Sequence, residues 1–369
     1  MRPTCASIEL DAIARNYRVV RNRIGAERGI FCVVKGNAYG HGAAEVARRL
    51  SREGASRFAV AVAEEGIALR RAGVEGEILL LNYADPADAG ALRAYGLAPS
   101  LYDLRQARGF AEATRTFSDP LPVHVKLDTG MGRIGFTPEV LGAVAQLLRR
   151  SPGLRVAGTF SNLASAEEME SPRTAKQVDV LKAGVAALTA AGVAPGVVHL
   201  ANSAGILLHR DTWFDAVRPG LALYGVPPTQ RSGAGDSLTP ALTLETRVMA
   251  VNEVAPGTAL GYGGRFIAER ASTIAVLPIG YHDGFRRSFS GRVRVLLRGK
   301  EVPVVGAVSM DLTLVDASGA GVQSGDRVVC LGSDGGSRVT AWDLARAADT
   351  IPYEILCGIG SRVPRVYPQ

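Results

Sequence analysis

The sequence predicts an α/β architecture in which an N-terminal (β/α)8 barrel of the TIM type precedes a mainly β C-terminal domain. Eight short apolar runs alternate with amphipathic segments along the first part of the chain, a pattern typical of parallel strands joined by helical crossovers. The alternation stops near Pro227-Pro228, and strand-like runs separated by turns follow. A chain of 369 residues is also too long for one ordinary core, so two domains are expected.

The barrel prediction depends on the order of strand-like and helical segments. The expected strands are Ile30–Val34, Phe58–Val62, Ile78–Leu81, Leu97–Ser100, Val123–Leu127, Val156–Phe160, Val197–Leu200 and Ala216–Arg218. Helical periodicity is found in the segments Ala44–Arg52, Glu64–Arg71, Leu101–Ala113, Pro138–Arg149 and Thr174–Ala191. A doubly wound sheet is the alternative, but no Gly-x-Gly-x-x-Gly turn follows the first strand.

The second half of the chain is expected to be a β domain. Its predicted strands are Leu242–Val251, Thr273–Pro278, Val293–Leu297, Val302–Val308, Leu312–Val315 and Arg327–Leu331, with a helix near Ala341–Ala348. We therefore expect the barrel domain at residues 10–235. The β domain is expected at residues 236–369, together with an N-terminal strand within residues 1–9.

Composition narrows the class of protein. Hydrophobic residues make up 47% of the chain and charged residues 21%, as in soluble globular proteins. No apolar run approaches the ~20 residues of a membrane span, and the N-terminus has no apolar signal core, so we expect a cytoplasmic protein with no membrane partner. The net charge is +7, but no arginine–aromatic patch argues for nucleic acid. The four cysteines lack metal-ligand spacing, so they are expected to be reduced and no metal site is expected.

Lys35 is the first candidate for chemistry. Four apolar residues lead into it, and a glycine-rich loop that contains Tyr39 follows. A desolvated lysine has a lowered pKa, and its neutral amine attacks carbonyl carbons, as a Schiff-base lysine must. The alternative is an ordinary lysine at the end of a strand, with its ammonium group reaching solvent. This stretch alone leaves both interpretations open.

Further polar residues stand where other predicted barrel strands end. They are Arg133 after the fifth strand, Asn162 after the sixth, Asn202 and Ser203 after the seventh, and Arg218 at the end of the eighth. Active sites of such barrels are built at the carboxyl ends of the strands. The pattern therefore predicts one site at that rim of the barrel.

Seven stretches together resemble one family. The stretch Val34–Gly42 (VKGNAYGHG) resembles the cofactor-lysine motif of the alanine racemases, fold type III pyridoxal-phosphate enzymes with a barrel and a β domain. The other similar stretches, in chain order, are Leu127–Arg133, Ala201–Ala204, Val217–Gly225, Gly280–Gly284, Ser309–Asp311 and Arg362–Arg365. Any one of them is weak, whereas their common order along the whole chain is specific.

The resemblance implies two catalytic bases. Racemisation removes the α-proton from one face of the substrate and returns it on the other, so one base on each face suffices. By resemblance these are Lys35, which also binds pyridoxal 5′-phosphate, and Tyr281. In the family the tyrosine reaches the barrel of the partner subunit, so a homodimer with shared active sites is implied. The sequence context of Tyr281 alone favours a different interpretation, a half-buried tyrosine at a strand end.

The resemblance also assigns binding residues. Arg218 would face the pyridine nitrogen of the cofactor. The implied phosphate contacts are Tyr39, Ser203 and the backbone of Gly220 and Leu221, and Asn202 is a further cofactor-binding residue. Arg133 would contact the phenolic oxygen of the cofactor or the substrate carboxylate, and the backbone of the partner's Met310 would also contact the carboxylate. Lys126 matches a lysine that is carbamylated in some members.

Three positions depart from the family pattern. Asn162 stands where the family usually has a histidine that hydrogen-bonds the catalytic tyrosine. Ser361 replaces a phosphate-binding tyrosine, and His282 replaces a small residue. These changes keep open a racemase of broader specificity, or one acting on serine. An amino-acid decarboxylase of the same plan, or a cofactor carrier without catalysis, is less favoured, and an alanine racemase is the expectation.

Overall fold

The computed structural model describes residues 2–230, 233 and 235–368. Five positions inside the predicted domain ranges (1, 231, 232, 234 and 369) lie outside the described residues. The chain forms two compact units. The barrel unit comprises Asp11–Ala38 and Ala43–Thr239, and the β unit comprises Met1–Leu10, Tyr39–Gly42 and Pro240–Gln369. The short segment Tyr39–Gly42 thus belongs with the β unit although it lies early in the sequence.

The barrel unit is a closed parallel barrel, which confirms the predicted fold class. Its strands are Gly29–Ile30 with Cys32–Val33, Arg57–Val60, Glu77–Leu80, Leu97–Leu101, Leu121–Lys126, Leu154–Phe160, Val197–His199 and Ala216–Val217. The first strand is interrupted at Phe31, and its two halves have different partners. Ile30 pairs with Val217 of the last strand, whereas Cys32 pairs with Phe58 of the second. Because one strand reaches both neighbours, the sheet closes on itself.

Helices follow the strands, as the apolar periodicity predicts. In the barrel unit and at its start they are Leu10–Ile24, Ala43–Arg52, Ala63–Arg71, Ala89–Ala94, Leu104–Ala113, Leu141–Arg149, Arg173–Ala190 and Ser203–Leu208. Short 3₁₀ turns occupy Pro86–Asp88, Pro138–Val140, Arg210–Thr212 and Leu221–Tyr224. The helix predicted from Leu101 begins later, because Leu101 ends a strand and the Asp103 carboxylate accepts from the N–H groups of Arg105 and Gln106 as an N-cap.

The β unit is built mainly from antiparallel strands. They are Cys5–Ile8, Leu242–Arg247, Ala250–Val254, Ala259–Leu260, Phe266–Ile267, Ser272–Leu277, Arg294–Leu297, Lys300–Val305, Thr313–Asp316, Arg327–Asp334, Ser337–Val339 and Arg365–Val366. The helices are Ala341–Ala347 and Pro352–Cys357, with short turns at Tyr262–Gly264, Tyr281–Asp283 and Arg287–Phe289. Strand Cys5–Ile8 lies between Leu242–Arg247, antiparallel, and Arg365–Val366, parallel.

The structure of this unit differs from the prediction in several details. The single strand predicted at Leu242–Val251 is two strands, which end at Arg247 and restart at Ala250. Their partners explain the break, since the first pairs with Arg327–Asp334 and the second with Ser272–Leu277. The helix Pro352–Cys357 was not predicted, because six residues are too few to show a helical period. Among the described residues, no helix is long and apolar enough to span a membrane.

Candidate active site

Lys35 lies at the carboxyl end of the first barrel strand and is followed by a left-handed turn. The φ angles of Gly36, Asn37 and Ala38 are 61°, 53° and 55°, in a region that costs roughly 1–2 kcal/mol per residue other than glycine. The turn is supported by side chains, because the Gly36 N–H donates to Glu65 at 2.7 Å and Asn37 Oδ1 accepts from the Ala43 N–H at 2.9 Å. Strain held in this way is typical of functional sites.

Arg218 follows the last barrel strand and is 4% exposed. Its Nη1 donates to His199 Nδ1 at 2.7 Å, and its Nη2 donates to the carbonyls of Ser161 at 2.6 Å and Leu200 at 2.9 Å. Burial lowers the pKa of the guanidinium to about 9, so it is charged at neutral pH. Among the described residues no carboxylate forms an ion pair with it, and the charge is available to an anionic or electron-rich ligand.

Lys126 ends the fifth strand inside the barrel mouth and is 4% exposed. Its ammonium group donates to the Leu81 carbonyl at 3.2 Å and lies 5.3 Å from the centre of the Phe160 ring. Burial lowers its pKa to about 7, and the charges of Arg218, Arg133 and Lys35 add to the effect. The charges of three other basic side chains thus act on Lys126, and such a group of basic residues suits the binding of an anion.

Arg133 is carried by a loop that Asp128 shapes. The two carboxylate oxygens of Asp128 accept from the backbone N–H groups of the four residues that follow Thr129, at 2.9 to 3.1 Å. Burial raises the pKa of Asp128, but these four hydrogen bonds outweigh it and hold the pKa below its ordinary value. The carboxylate therefore fixes the loop, while the Arg133 side chain stays exposed.

Ser203 and Gly220 form a small polar cradle. The Ser203 hydroxyl oxygen accepts from the N–H groups of Gly220 at 3.0 Å and Ala222 at 3.1 Å. Both lone pairs are then occupied, so the hydroxyl proton is left to donate to a further acceptor. Leu221 begins a 3₁₀ turn, so its own N–H has no acceptor within the turn. This donor set suits a phosphate group.

The side chain of Asn202 instead caps the helix Ser203–Leu208, because its Oδ1 accepts from the Gly205 N–H at 3.0 Å.

Tyr281 and Met310 are brought together in the β unit. The Tyr281 N–H donates to the Ser309 carbonyl at 2.9 Å, and the His282 N–H donates to the Met310 carbonyl at 3.2 Å. Only glycine fits before the tyrosine, since a Cβ at Gly280 would lie 2.4 Å from the Met310 carbonyl oxygen. Tyr281 is 41% exposed and Met310 50% exposed. One surface of this unit therefore presents both residues.

Tyr39 also belongs to the β unit. Its ring packs against Tyr353 with the ring centres 5.7 Å apart, and burial raises the pKa of its hydroxyl group far above the ordinary value. The phenol is therefore a neutral hydrogen-bonding group at any physiological pH. A neutral hydroxyl suits a role in binding better than a role as a base.

Two family models match the chain almost end to end. The alanine racemase N-terminal domain matches residues 8–228, and the alanine racemase C-terminal domain matches residues 241–367. The chain belongs to the alanine racemase family. This membership confirms the family resemblance of the seven sequence stretches.

Similar proteins cover the chain throughout. An alanine racemase from Symbiobacterium thermophilum is 43% identical over 100% of this chain and 97% of its own length. An alanine racemase from Halothermothrix orenii is 38% identical over 99% of this chain and 97% of its own length. The alanine racemase of Bacillus anthracis, solved with bound L-Ala-P, has a TM-score of 0.95 at 34% identity and covers 100% of this chain and 96% of its own. That of Bartonella henselae, solved with covalently bound pyridoxal phosphate, has a TM-score of 0.91 at 30% identity, with both chains covered fully.

The three departures from the alanine racemase pattern have different surroundings. The Asn162 Oδ1 atom lies 3.4 Å from Arg218 Nη2, while its Nδ2 donates to the Leu163 carbonyl at 3.1 Å. Asn162 is therefore linked to the buried guanidinium. Ser361 and His282 are both exposed on the β unit.

Several polar residues of the site were missed by the sequence analysis. His124 and His199 stand inside apolar strands and extend the polar contacts of Arg218 into the barrel. Asp283 has a fully buried side chain that holds the turn of Tyr281. A polar residue at an inward-facing strand position was the available signal for the two histidines.

Proposed function

We propose that this chain is a pyridoxal-phosphate-dependent racemase that interconverts L- and D-alanine in a homodimer. The observation that carries the proposal is the group of four basic side chains at the barrel mouth, Lys35, Lys126, Arg133 and Arg218, in which the charges of the other three help burial to lower the pKa of Lys126. A cofactor with a phosphate and a phenolic oxygen, together with a substrate carboxylate, supplies the negative charges that such a group needs.

The donor set of the barrel unit fits the cofactor. Lys35 would hold it covalently through Nζ, and the Ser203 hydroxyl and the Leu221 N–H would bind its phosphate. The Gly220 N–H would act through Ser203, whose hydroxyl oxygen already accepts from it. Tyr39 would add a neutral hydroxyl. Asn202 would act through the helix that it caps, since its side chain is already hydrogen-bonded there. When bound, the cofactor withdraws electrons from the substrate and makes the α-proton acidic.

Arg218 would face the pyridine nitrogen of the cofactor. A guanidinium is a donor without an acceptor and keeps its proton at neutral pH. The ring nitrogen would then accept a hydrogen bond and stay unprotonated, which makes the cofactor a weaker electron sink. This restraint favours return of the α-proton over side reactions such as transamination.

Lys35 and Tyr281 would be the two bases. One takes the α-proton from one face, and the conjugate acid of the other returns a proton to the opposite face. The two residues belong to different units of the chain, and we propose that the partner subunit's tyrosine completes each site. The exposed side chains of Tyr281 and Met310 are suited to such an interface.

The protein would act in the cytoplasm. Its four cysteines are free thiols, which suits a reducing compartment.

The substrate carboxylate would bind Arg133 and the backbone of Met310 from the partner chain. The exposed guanidinium of Arg133 is free of ion pairs among the described residues. A carbamylated Lys126 would carry a negative charge beside it and fix its position.

Incubation of the purified protein with L-alanine, L-serine and L-lysine in separate reactions tests the substrate. Chiral chromatography is expected to show D-alanine as the main product. D-serine or D-lysine formed at a similar rate would indicate a broader racemase. Release of carbon dioxide would indicate a decarboxylase, and cofactor binding without any change of chirality would indicate a carrier.

A further inference from the structure

A line of side-chain hydrogen bonds crosses the barrel interior behind Arg218. The guanidinium contacts His199 Nδ1 at 2.7 Å, and His199 Nε2 lies 3.1 Å from His124 Nδ1. His124 Nε2 lies 2.8 Å from Oε1 of Glu77, whose other oxygen accepts from Arg57 Nε at 3.2 Å. Glu77 begins its strand, whereas Arg218 follows the end of its own. The line therefore runs from the amino end of the barrel to the rim that carries the site.

The two ends of this line permit only one direction of hydrogen bonding. Arg218 can only donate, so His199 Nδ1 must accept and the His199 proton must be on Nε2. That proton is donated to His124 Nδ1, which places the His124 proton on Nε2, facing Glu77. An ionised carboxylate can only accept, so Glu77 requires the same direction. Both imidazoles are thereby neutral and hold one tautomer.

The surroundings hold both rings in place. His124 and His199 are fully buried. The His199 ring lies between two phenyl rings, with centres 4.7 Å from Phe31 and 4.9 Å from Phe160. Burial, followed by the charge of Arg218, lowers the pKa of His199 well below its ordinary value. A Cβ at Gly158 would lie 2.5 Å from His124 Nδ1, so the neighbouring strand leaves room for this ring.

We propose that Glu77, His124 and His199 are positioning residues for Arg218. The carboxylate of Glu77 sets the direction of the line, and the line presents an acceptor, never a donor, to the guanidinium. This inference rests on the proposed role of Arg218 toward the pyridine nitrogen. It adds to that role a remote residue, Glu77, which lies at the opposite end of the barrel.

Replacement of Glu77 by glutamine changes the direction of hydrogen bonding along the line without changing the size of the side chain. The amide has the same size, but its NH2 group can donate to His124 Nε2, which reverses both tautomers. An N–H of His199 would then face an N–H of Arg218, and the guanidinium must move. Ser100→Ala is the control, since Ser100 also lies in a barrel strand, takes no part in the line, and its hydroxyl group donates only to the Leu80 carbonyl at 2.5 Å.

Nitrogen-15 NMR of histidine-labelled protein at neutral pH reads the tautomers directly, with His124→Gln and His199→Gln used to assign the signals. Both imidazoles of the unsubstituted protein and of Ser100→Ala are expected to carry the proton on Nε2, and Glu77→Gln is expected to move it to Nδ1. Titration of the apoprotein with pyridoxal 5′-phosphate is expected to show about 3- to 10-fold weaker binding for Glu77→Gln only, as loss of about one good hydrogen bond implies. The absorption spectrum of the bound cofactor is expected to shift in the same variant.

An Nδ1 proton on either ring of the unsubstituted protein would overturn the proposed direction, even if Glu77→Gln failed to fold. Tautomers as expected, together with unchanged cofactor binding and spectrum in Glu77→Gln, would overturn the positioning role. If these signals change as expected but the protein does not racemise alanine, Glu77, His124 and His199 still position Arg218. Only the proposed function fails in that case.

Discussion

Arg362 binds the carboxylate of Asp283 through two hydrogen bonds, from Nε to Oδ1 at 2.6 Å and from Nη2 to Oδ2 at 3.2 Å. Nη2 of the same guanidinium lies 3.3 Å from the Met310 carbonyl. Oδ2 of Asp283 also accepts from the Gly280 N–H at 2.9 Å, immediately before Tyr281. Arg2 binds the carboxylate from another side, with Nη1 2.7 Å from Oδ1. One buried acid therefore fixes the turn of Tyr281 relative to Met310.

Asp283→Asn is expected to lower the free energy of unfolding by about 2–4 kcal/mol, because an amide NH2 group would face two guanidinium groups in a buried position. Asp311→Asn is the matched control, since Asp311 binds the same Arg362 at 2.7 Å but is 57% exposed. Its expected cost is about 0–1 kcal/mol. Urea unfolding measures both variants. Equal losses would show that burial of Asp283 is not what makes it important.

The contribution of Asp283 is also expected to depend on pH. Burial raises its pKa, but the hydrogen bonds from Arg2, Arg362 and Gly280 outweigh burial and lower the pKa below the ordinary 3.8. A lowered pKa in the folded state stabilises the protein above the ordinary value, and the stabilisation is lost as the pH falls through the folded pKa. The difference in stability between the unsubstituted protein and Asp283→Asn should thus be constant above about pH 5 and shrink below pH 4. Urea unfolding over this range checks the trend, and a constant difference down to pH 3 would contradict it.

The sequence predicted the strands of the barrel well because each is a short apolar run between turn residues. It could not predict the interruption at Phe31, which depends on the different partners of Ile30 and Cys32. The rim residues Lys35 and Arg218 were found because polar residues at strand ends stand out. Glu77 and Asp283 were missed, since their partners lie dozens of residues away and local sequence carries no signal of such pairing. The secondary structure around the site could therefore be predicted from the sequence, whereas polar contacts between residues far apart in the sequence could not.

Lys126 is expected to be carbamylated. Carbamylation requires a neutral amine, and a pKa of about 7 leaves much of this lysine neutral at physiological pH. Carbon-13 NMR of protein equilibrated with labelled bicarbonate should show a carbamate signal that grows as the pH rises above 7 and disappears in Lys126→Met. Lys182→Met, which removes an exposed lysine, should retain the signal. Persistence of the signal in Lys126→Met would place the modification elsewhere.

Lys35 is expected to carry the cofactor covalently. Borohydride reduction of the holoprotein, followed by peptide mapping, should place the pyridoxyl group on Lys35, and Lys35→Ala should yield no labelled peptide. Lys126 is the informative alternative, because it is also a barrel-mouth lysine and its pKa of about 7 leaves part of it neutral at pH 7. A label on Lys126 would overturn the site assignment.

Mixed dimers test whether two chains share each site. Lys35→Ala and Tyr281→Phe should each lower activity by about 10²–10⁴-fold, the usual contribution of a catalytic base. An equimolar mixture after subunit exchange should recover about one quarter of the unsubstituted activity, since half of the dimers are mixed and each has one intact site. Mass spectrometry of size-tagged chains verifies the exchange. Verified exchange without recovered activity would mean that both residues act within one chain, or that one of them is not catalytic.

Asn162 is expected to couple Arg218 to the proton transfer of Tyr281. A neutral amide cannot supply the charge that a histidine at this position shares with the tyrosine, and a tyrosine has an ordinary pKa of about 10. Activation must therefore come from a nearby cation, and the 3.4 Å contact between Asn162 Oδ1 and Arg218 Nη2 provides the link. We expect Tyr281 to take the α-proton of L-alanine and Lys35 to take that of D-alanine. Asn162→Ala should therefore slow removal of the proton from L-alanine more than its removal from D-alanine. Isotope exchange at the α-carbon, followed from each enantiomer, measures the two directions separately.

Asn162→His, which restores the residue usual in the family, should recover the rate of proton removal from L-alanine. Equal loss in both directions would mean that Asn162 only shapes the pocket, and no loss would mean that Arg218 influences the tyrosine without it.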